Sequence, residues 1–161
     1  MDEILTIVLK DTYSLSQLKH RLRILKSNLL KTFFGGENNQ ALSLTAQDLN
    51  WLRNLPESFY QKFTKDNIYQ ILSDLEKGIP NLPTLTMYLT FEPDDGTLGQ
   101  LGSVTRKTFS SPSLILDIKL DLNLIAGVAL VWKGVYKDYS LRSKIESRKA
   151  EIFEGFKKFL R

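Results

Sequence analysis

The run Ile79-Pro80-Asn81-Leu82-Pro83-Thr84-Leu85-Thr86-Met87-Tyr88-Leu89-Thr90-Phe91 is where the spacing of apolar residues changes. Before it they recur every three or four positions, the period of a helix; after it they alternate, the period of a half-buried strand. Leu85, Met87, Leu89 and Phe91 alternate with Thr86, Tyr88 and Thr90. The two prolines disfavour helix on the residues before them, so 79–83 is predicted to link a helical part, 1–78, to a mixed part, 84–161. The fold class that follows is α+β, a small N-terminal helical bundle followed by a β-α-β-β-α domain.

Working back from the prolines, Ile68, Ile71, Leu72 and Leu75 share one helix face, with Thr64 at its start and Gly78 as its stop. Leu49, Leu52 and Leu55 mark a shorter helix opened by Thr45 and Asp48, and Pro56 suits the first turn of another running toward Phe63. The longest helix is 15–34. Leu15, Leu18, Leu22, Leu25, Leu29 and Phe33 form its stripe, Ser14 and Gln17 a capping box, and Gly35-Gly36 its end. Lys19, Arg21, Arg23 and Lys26 then face water. Periodicity leaves Ile4–Leu9 open between helix and strand.

Working forward, Pro93-Asp94-Asp95-Gly96 has the chemistry of a turn. Residues 97–109 are predicted to cross as a helix on Leu98, Leu101 and Val104, although Gly99 and Gly102 each cost it ~1 kcal/mol against alanine. A second strand takes Leu114, Leu116, Ile118 and Leu120. A third, Ile125–Trp132, is apolar almost throughout and is expected at the centre of the sheet. Lys133-Gly134 makes a hairpin turn into Val135–Lys137. A final helix covers 140–160, and its Ile152, Phe153, Phe156, Phe159 and Leu160 exceed what packing on a small sheet demands. Further core and a partner helix explain them equally well.

The totals restrict function. The chain has 161 residues, 42% hydrophobic and 25% charged, as in an ordinary globular protein. It has no cysteine, which removes disulfides and thiolate metal sites and fits a reducing compartment. No segment approaches the ~20 apolar residues of a spanning helix, and the acidic start with its short apolar run does not resemble a secretion signal. The net charge of +4 is concentrated in 138–161, a solvated basic face more than a nucleic-acid arm.

No catalytic group emerges. His20, the single histidine, is expected on the polar side of the long helix. Asp94-Asp95-Gly96 lacks the spaced oxygens of a calcium loop, and Gly35-Gly36 lacks a phosphate-loop lysine. Asp117 and Asp121 have Lys119 between them. Neither cofactor nor metal is expected, and the chain reads as no enzyme.

One stretch carries a pattern of its own, Asp121-Leu-Asn-Leu-Ile-Ala-Gly-Val-Ala-Leu-Val-Trp-Lys-Gly-Val-Tyr-Lys-Asp-Tyr-Ser-Leu-Arg-Ser-Lys-Ile145. Physically, Gly127 beside Ala126 permits close backbone approach in a buried strand, and Asp138 and Ser140 supply oxygens to the start of the last helix. The stretch resembles the C-terminal signature of delta (oligomycin-sensitivity-conferring) subunits of F-type ATP synthases. Asp121, Leu124, Ile125, Ala126, Gly127, Asp138, Ser140, Leu141 and Arg142 stand at the positions that carry the likeness, which extends over about residues 84–146.

The resemblance implies a non-catalytic peripheral-stalk subunit at the cytoplasmic face of an energy-transducing membrane, bound only through its complex. The C-terminal domain would hold the b subunits, with Ile152, Phe153, Phe156, Phe159 and Leu160 as contact residues. The helical part would dock on the N-termini of alpha subunits. The rival reading is a small basic RNA-binding module using Tyr88, Trp132, Tyr136 or Tyr139 as stacking rings.

Overall fold

The computed structural model describes residues 2–35 and 44–159. Ile4–Leu9, left open by periodicity, is helical within α1 (Asp2–Leu9), with Ile4, Val8 and Leu9 buried. Helix α2 (Leu15–Phe34) follows the predicted bounds. Ser14 accepts from the Gln17 N–H, and Gly35, at φ 64°, closes the helix by donating to Lys31 O. Gly36 lies outside the described residues. The return bond of the capping box is displaced, because the Gln17 side chain accepts from the Tyr13 N–H instead of that of Ser14. Arg21 is not simply solvated. It donates to Asp11 O at 2.6 Å and to Thr12 Oγ1 at 2.7 Å and lies over the Trp51 ring, pinning the α1–α2 turn.

Helices α3 (Ala46–Asn54), α4 (Glu57–Tyr60) and α5 (Ile68–Gly78) complete the helical part. In α3 the buried positions are Asp48, Trp51 and Leu52, followed by Leu55 just past its end, and Leu49 is exposed. Three-residue steps drift off a face with 3.6 residues per turn, so the i, i+3, i+4, i+7 set wins. Thr64 does not open α5 directly. It exchanges hydrogen bonds with Asn67 in a turn, and the helix begins at Ile68. Gly78 keeps ordinary helical angles and leads into a short 3-10 turn, Ile79–Asn81. The prolines, not the glycine, end this helix. The linker is thus no free tether, since Ile79 and Leu82 pack on the helical core.

The sheet has strands β1 (Thr84–Leu89), β2 (Ile115–Leu120), β3 (Val128–Trp132) and β4 (Val135–Asp138), in the order β2-β1-β3-β4. β1 and β2 are parallel, joined by α6 (Asp95–Thr108), and the other two pairs are antiparallel. β1 buries alternate residues as predicted, but Phe91 lies past its end and is exposed. The predicted turn at 93–96 is a helix start: Asp94 caps α6 by accepting from Thr97 N at 2.7 Å, and Asp95 and Gly96 are already helical. Within α6 the buried face is Leu98, Gly102 and Thr105, while Val104 is exposed.

β3 is an inner strand, as expected, but it shares the centre with β1 and starts only at Val128. Lys133 (φ 49°) and Gly134 (φ 79°) form the two-residue hairpin turn. The last helix is two helices, α7 (Leu141–Ser147) and α8 (Lys149–Phe159). The Ser147 hydroxyl donates to Lys144 O, the carbonyl Arg148 N–H would take in a continuous helix, and Arg148 turns to Ile145 and Glu146 instead.

Helical part and sheet are packed together. Leu116 faces α6 in one core with Leu85 and Met87, and the next residue back, Ile115, belongs to the core of the helical part. The Leu116 N–H donates to Tyr13 O, so Ser14 lies against β2 as a short parallel bridge. Arg106 of α6 donates to Thr12 O at 2.6 Å and to Leu114 O at 3.0 Å, and it stacks on Tyr13. Tyr13 in turn covers Gly102, where a Cβ would overlap its ring.

Candidate functional site

The stretch 121–142 forms one compact crossing of chain rather than a pocket. Asp121 accepts from Asn123 N at 3.0 Å and caps a 3-10 turn, Leu122–Leu124, that buries Leu124. Ile125 follows with φ 67° and an exposed side chain. Ala126 O accepts from Leu141 N at 2.8 Å, and Val128 O from Tyr139 N at 2.9 Å. Between them Gly127 sits at φ 91°, where a Cβ would stand 2.7 Å from Tyr139 O and 3.1 Å from Ser140 Cα. The expected close approach is present, but in an exposed turn before β3 rather than inside a buried strand. A glycine is required twice over, by the left-handed angle and by the neighbouring backbone.

On the other side of the crossing, Asp138 accepts from Ser140 N at 2.8 Å, and the wholly buried Ser140 accepts from Ser143 N at 3.1 Å. Hydrogen bonds from Ser140 hold the Asp138 carboxyl below its ordinary pKa. Leu141 is exposed, and Arg142 pairs with Glu146 at 2.9 Å within α7. The nine positions of the pattern therefore fix where α7 leaves the sheet. Each polar group among them is spent on backbone or on a helix-face ion pair, and none is aimed at a ligand.

Beyond this crossing, α8 presents Ile152 (41% exposed), Phe153 (56%), Phe156 (62%) and Phe159 (88%), and no residue of the helix is buried. Further core is thus not what these side chains supply. Leu160 lies outside the described residues.

The remaining candidates settle into structural roles. His20 Nε2 lies 3.1 Å from Asp48 Oδ1, while the other Asp48 oxygen accepts from the Thr45 N–H and hydroxyl at 2.9 Å each. Burial raises the Asp48 carboxyl, but the bonds from Thr45 and His20 outweigh it and leave the pKa below the ordinary value. Lys119 pairs with Asp117 at 3.6 Å, and Asp121 caps the 3-10 turn. Trp132 packs on Phe109 at 4.8 Å and Tyr88 lies under Lys119, whereas Tyr136 and Tyr139 stay exposed. A cleft of about 870 Å³ between α1 and α6 has Lys10, Arg106 and Lys107 on its rim, with Arg106 tied to backbone carbonyls. Among the described residues no three His, Cys, Asp or Glu side chains are placed to hold a metal, and no helix is long and apolar enough to cross a membrane.

The structure adds two residues the sequence did not single out, Tyr13 and Arg106, and gives Gly102 its reason. Gly102 alone carried a signal, as a glycine costing helix stability without a visible reason. Its partner is some ninety positions away in the chain, beyond the reach of any local pattern. No protein-family model matches the chain, and no curated protein matches it.

Proposed function

We propose that this chain is a peripheral-stalk subunit of an F-type ATP synthase, a non-catalytic link between alpha subunits and the b subunits at the cytoplasmic face of the membrane. The observation that carries the reading is α8, an amphipathic helix with an uncovered phenylalanine face at the end of the chain. A stator link needs broad contact surfaces and no reacting group. The element order strand, helix, two strands, terminal helical segment agrees with the family resemblance. The polar residues of the 121–142 crossing serve only to set the exit of the terminal helices.

The test is co-purification of the tagged chain with b and alpha subunits. Retention of both at moderate salt supports the reading. Binding of RNA with a steep salt dependence, and of neither subunit, rejects it in favour of a nucleic-acid module.

A further inference from the structure

The cleft between α1 and α6 lies on the seam of the two parts of the molecule, and the stalk reading makes no use of it. Its volume of about 870 Å³ falls within the range of about 300–1,000 Å³ typical of small-molecule sites. The ends of α1 and α6 form two walls, and the loop 110–113 leading into β2 forms a third. That loop is held by its backbone. The Ser110 N–H donates to Lys107 O at 3.2 Å, and the Ser111 N–H to Arg106 O at 3.1 Å. Ile7, Leu9 and Pro112 supply apolar surface.

The charge of this cleft is one-sided. Lys10, Arg106 and Lys107 line it, and among the described residues no carboxylate does. Arg106 Nη1 reaches Lys10 O at 3.4 Å, so the cations meet where the two helices end. The three hydrogen bonds of Arg106 run to the carbonyls of Lys10, Thr12 and Leu114, which fix its charge in place without neutralising it. Burial pulls the Arg106 pKa down against Tyr13 and Asp11, which hold it up, and Asp11 is shared with Arg21. Lys10 and Lys107 make no ion pair among the described residues, and the hydroxyls of Ser103, Ser110 and Ser111 make no hydrogen bond among them. A partly desolvated cation without a carboxylate is stabilised by an incoming anion.

We propose that the cleft binds a small amphiphilic anion, a carboxylate or phosphate carried on an apolar body. The head meets Lys10, Lys107 and the two N–H groups of Arg106 that the carbonyls leave over. The body lies along Ile7, Leu9 and Pro112. A polyanion such as RNA fits less well, because cations gathered at one end of an apolar cleft give no track for a long backbone. The site is separate from α8, so the proposal does not rest on the stalk reading.

The experiment is calorimetric titration of the full chain with decanoate, decyl phosphate, inorganic phosphate and decyltrimethylammonium, each below its micelle concentration. Both anionic amphiphiles should bind about tenfold more tightly than the bare anion or the cationic amphiphile. Lys10→Glu with Lys107→Glu, both exposed, should weaken them about tenfold. Ser103→Trp, from an exposed position on the α6 wall, fills the cleft and should abolish binding while the melting temperature holds. Equal binding of decyltrimethylammonium would leave only an apolar surface, and equal binding of phosphate only an ion site; either overturns the proposal. So does binding of neither amphiphile, binding to phosphatidylglycerol vesicles alone, or decanoate binding that survives Ser103→Trp, as adsorption on the α8 phenylalanines would.

Discussion

Gly127 occupies a position where two constraints meet. Its φ of 91° is one that side-chain-bearing residues rarely adopt, and the backbone of Tyr139 and Ser140 fills the space a Cβ would take. Gly127→Val should therefore destabilise the protein by about 2 kcal/mol or more. An unchanged melting temperature would show that the crossing relaxes freely. Asp48 gives a second residue-level outcome. Its carboxyl is held below the ordinary value, so its contribution is complete above the unfolded-state pKa of about 3.9 and fades as pH falls through the lower folded value. Asp48→Asn should lose stability at pH 7 and show a flatter decline than the parent below about pH 4 in acid-unfolding curves. At this scale the caps Ser14, Thr45 and Ser140 were legible, because each satisfies a local donor three residues ahead, whereas Asp94, which does the same, read as part of a turn. The positive φ of Ile125 was not, since a β-branched residue in that conformation contradicts its own preference.

Among the elements, α6 and α8 are the informative pair. α6 tolerates Gly102 because Tyr13 packs where a side chain would be. Gly102→Ala should cost about 2 kcal/mol even though alanine favours helix by ~1 kcal/mol. Pairing it with Tyr13→Ala should return part of that loss in a double-mutant cycle. For α8 the outcome is opposite in kind. Phe153→Asp with Phe156→Asp touches no core and should leave the melting temperature within a degree or two, while, on the proposed stalk reading, b-subunit retention in co-purification falls. Unfolding of that variant would show the face to be core after all. Periodicity located most helices and strands, but it left Ile4–Leu9 open, joined α7 to α8, and misassigned single positions in or beside α3, α6 and β1. Leu49, Val104 and Phe91 share a local period with buried residues, and only the position of the neighbouring element decides which side is covered.

Over the whole molecule, the contacts between the helical part and the sheet bear on cooperativity. Ile115 is wholly buried in the helical core while Leu116 is buried against α6, so one strand serves both. Arg106 holds backbone carbonyls on both sides of the boundary. Urea unfolding followed by tryptophan fluorescence and by far-ultraviolet circular dichroism should give coincident single transitions. Arg106→Ala should move both together by about 1–3 kcal/mol, because it strands buried carbonyls. Two separated transitions would show that the halves act as independent domains.

The alternation after Pro83 against the 3.6-residue spacing before Gly78, together with the capping residues and Lys133-Gly134, determined the α+β class, the order of elements and most of their bounds. These features act between residues near in the chain, so their signals are local. The tertiary structure alone decided that Ile115 joins the helical core, that Tyr13 and Arg106 bind the two parts, and that the crossing at Gly127 and Ser140 directs α7 away from the sheet. It also decided that the phenylalanines of α8 are left uncovered. Those outcomes depend on groups more than ninety positions apart competing for the same space, and burial is settled by that competition, not by sequence period.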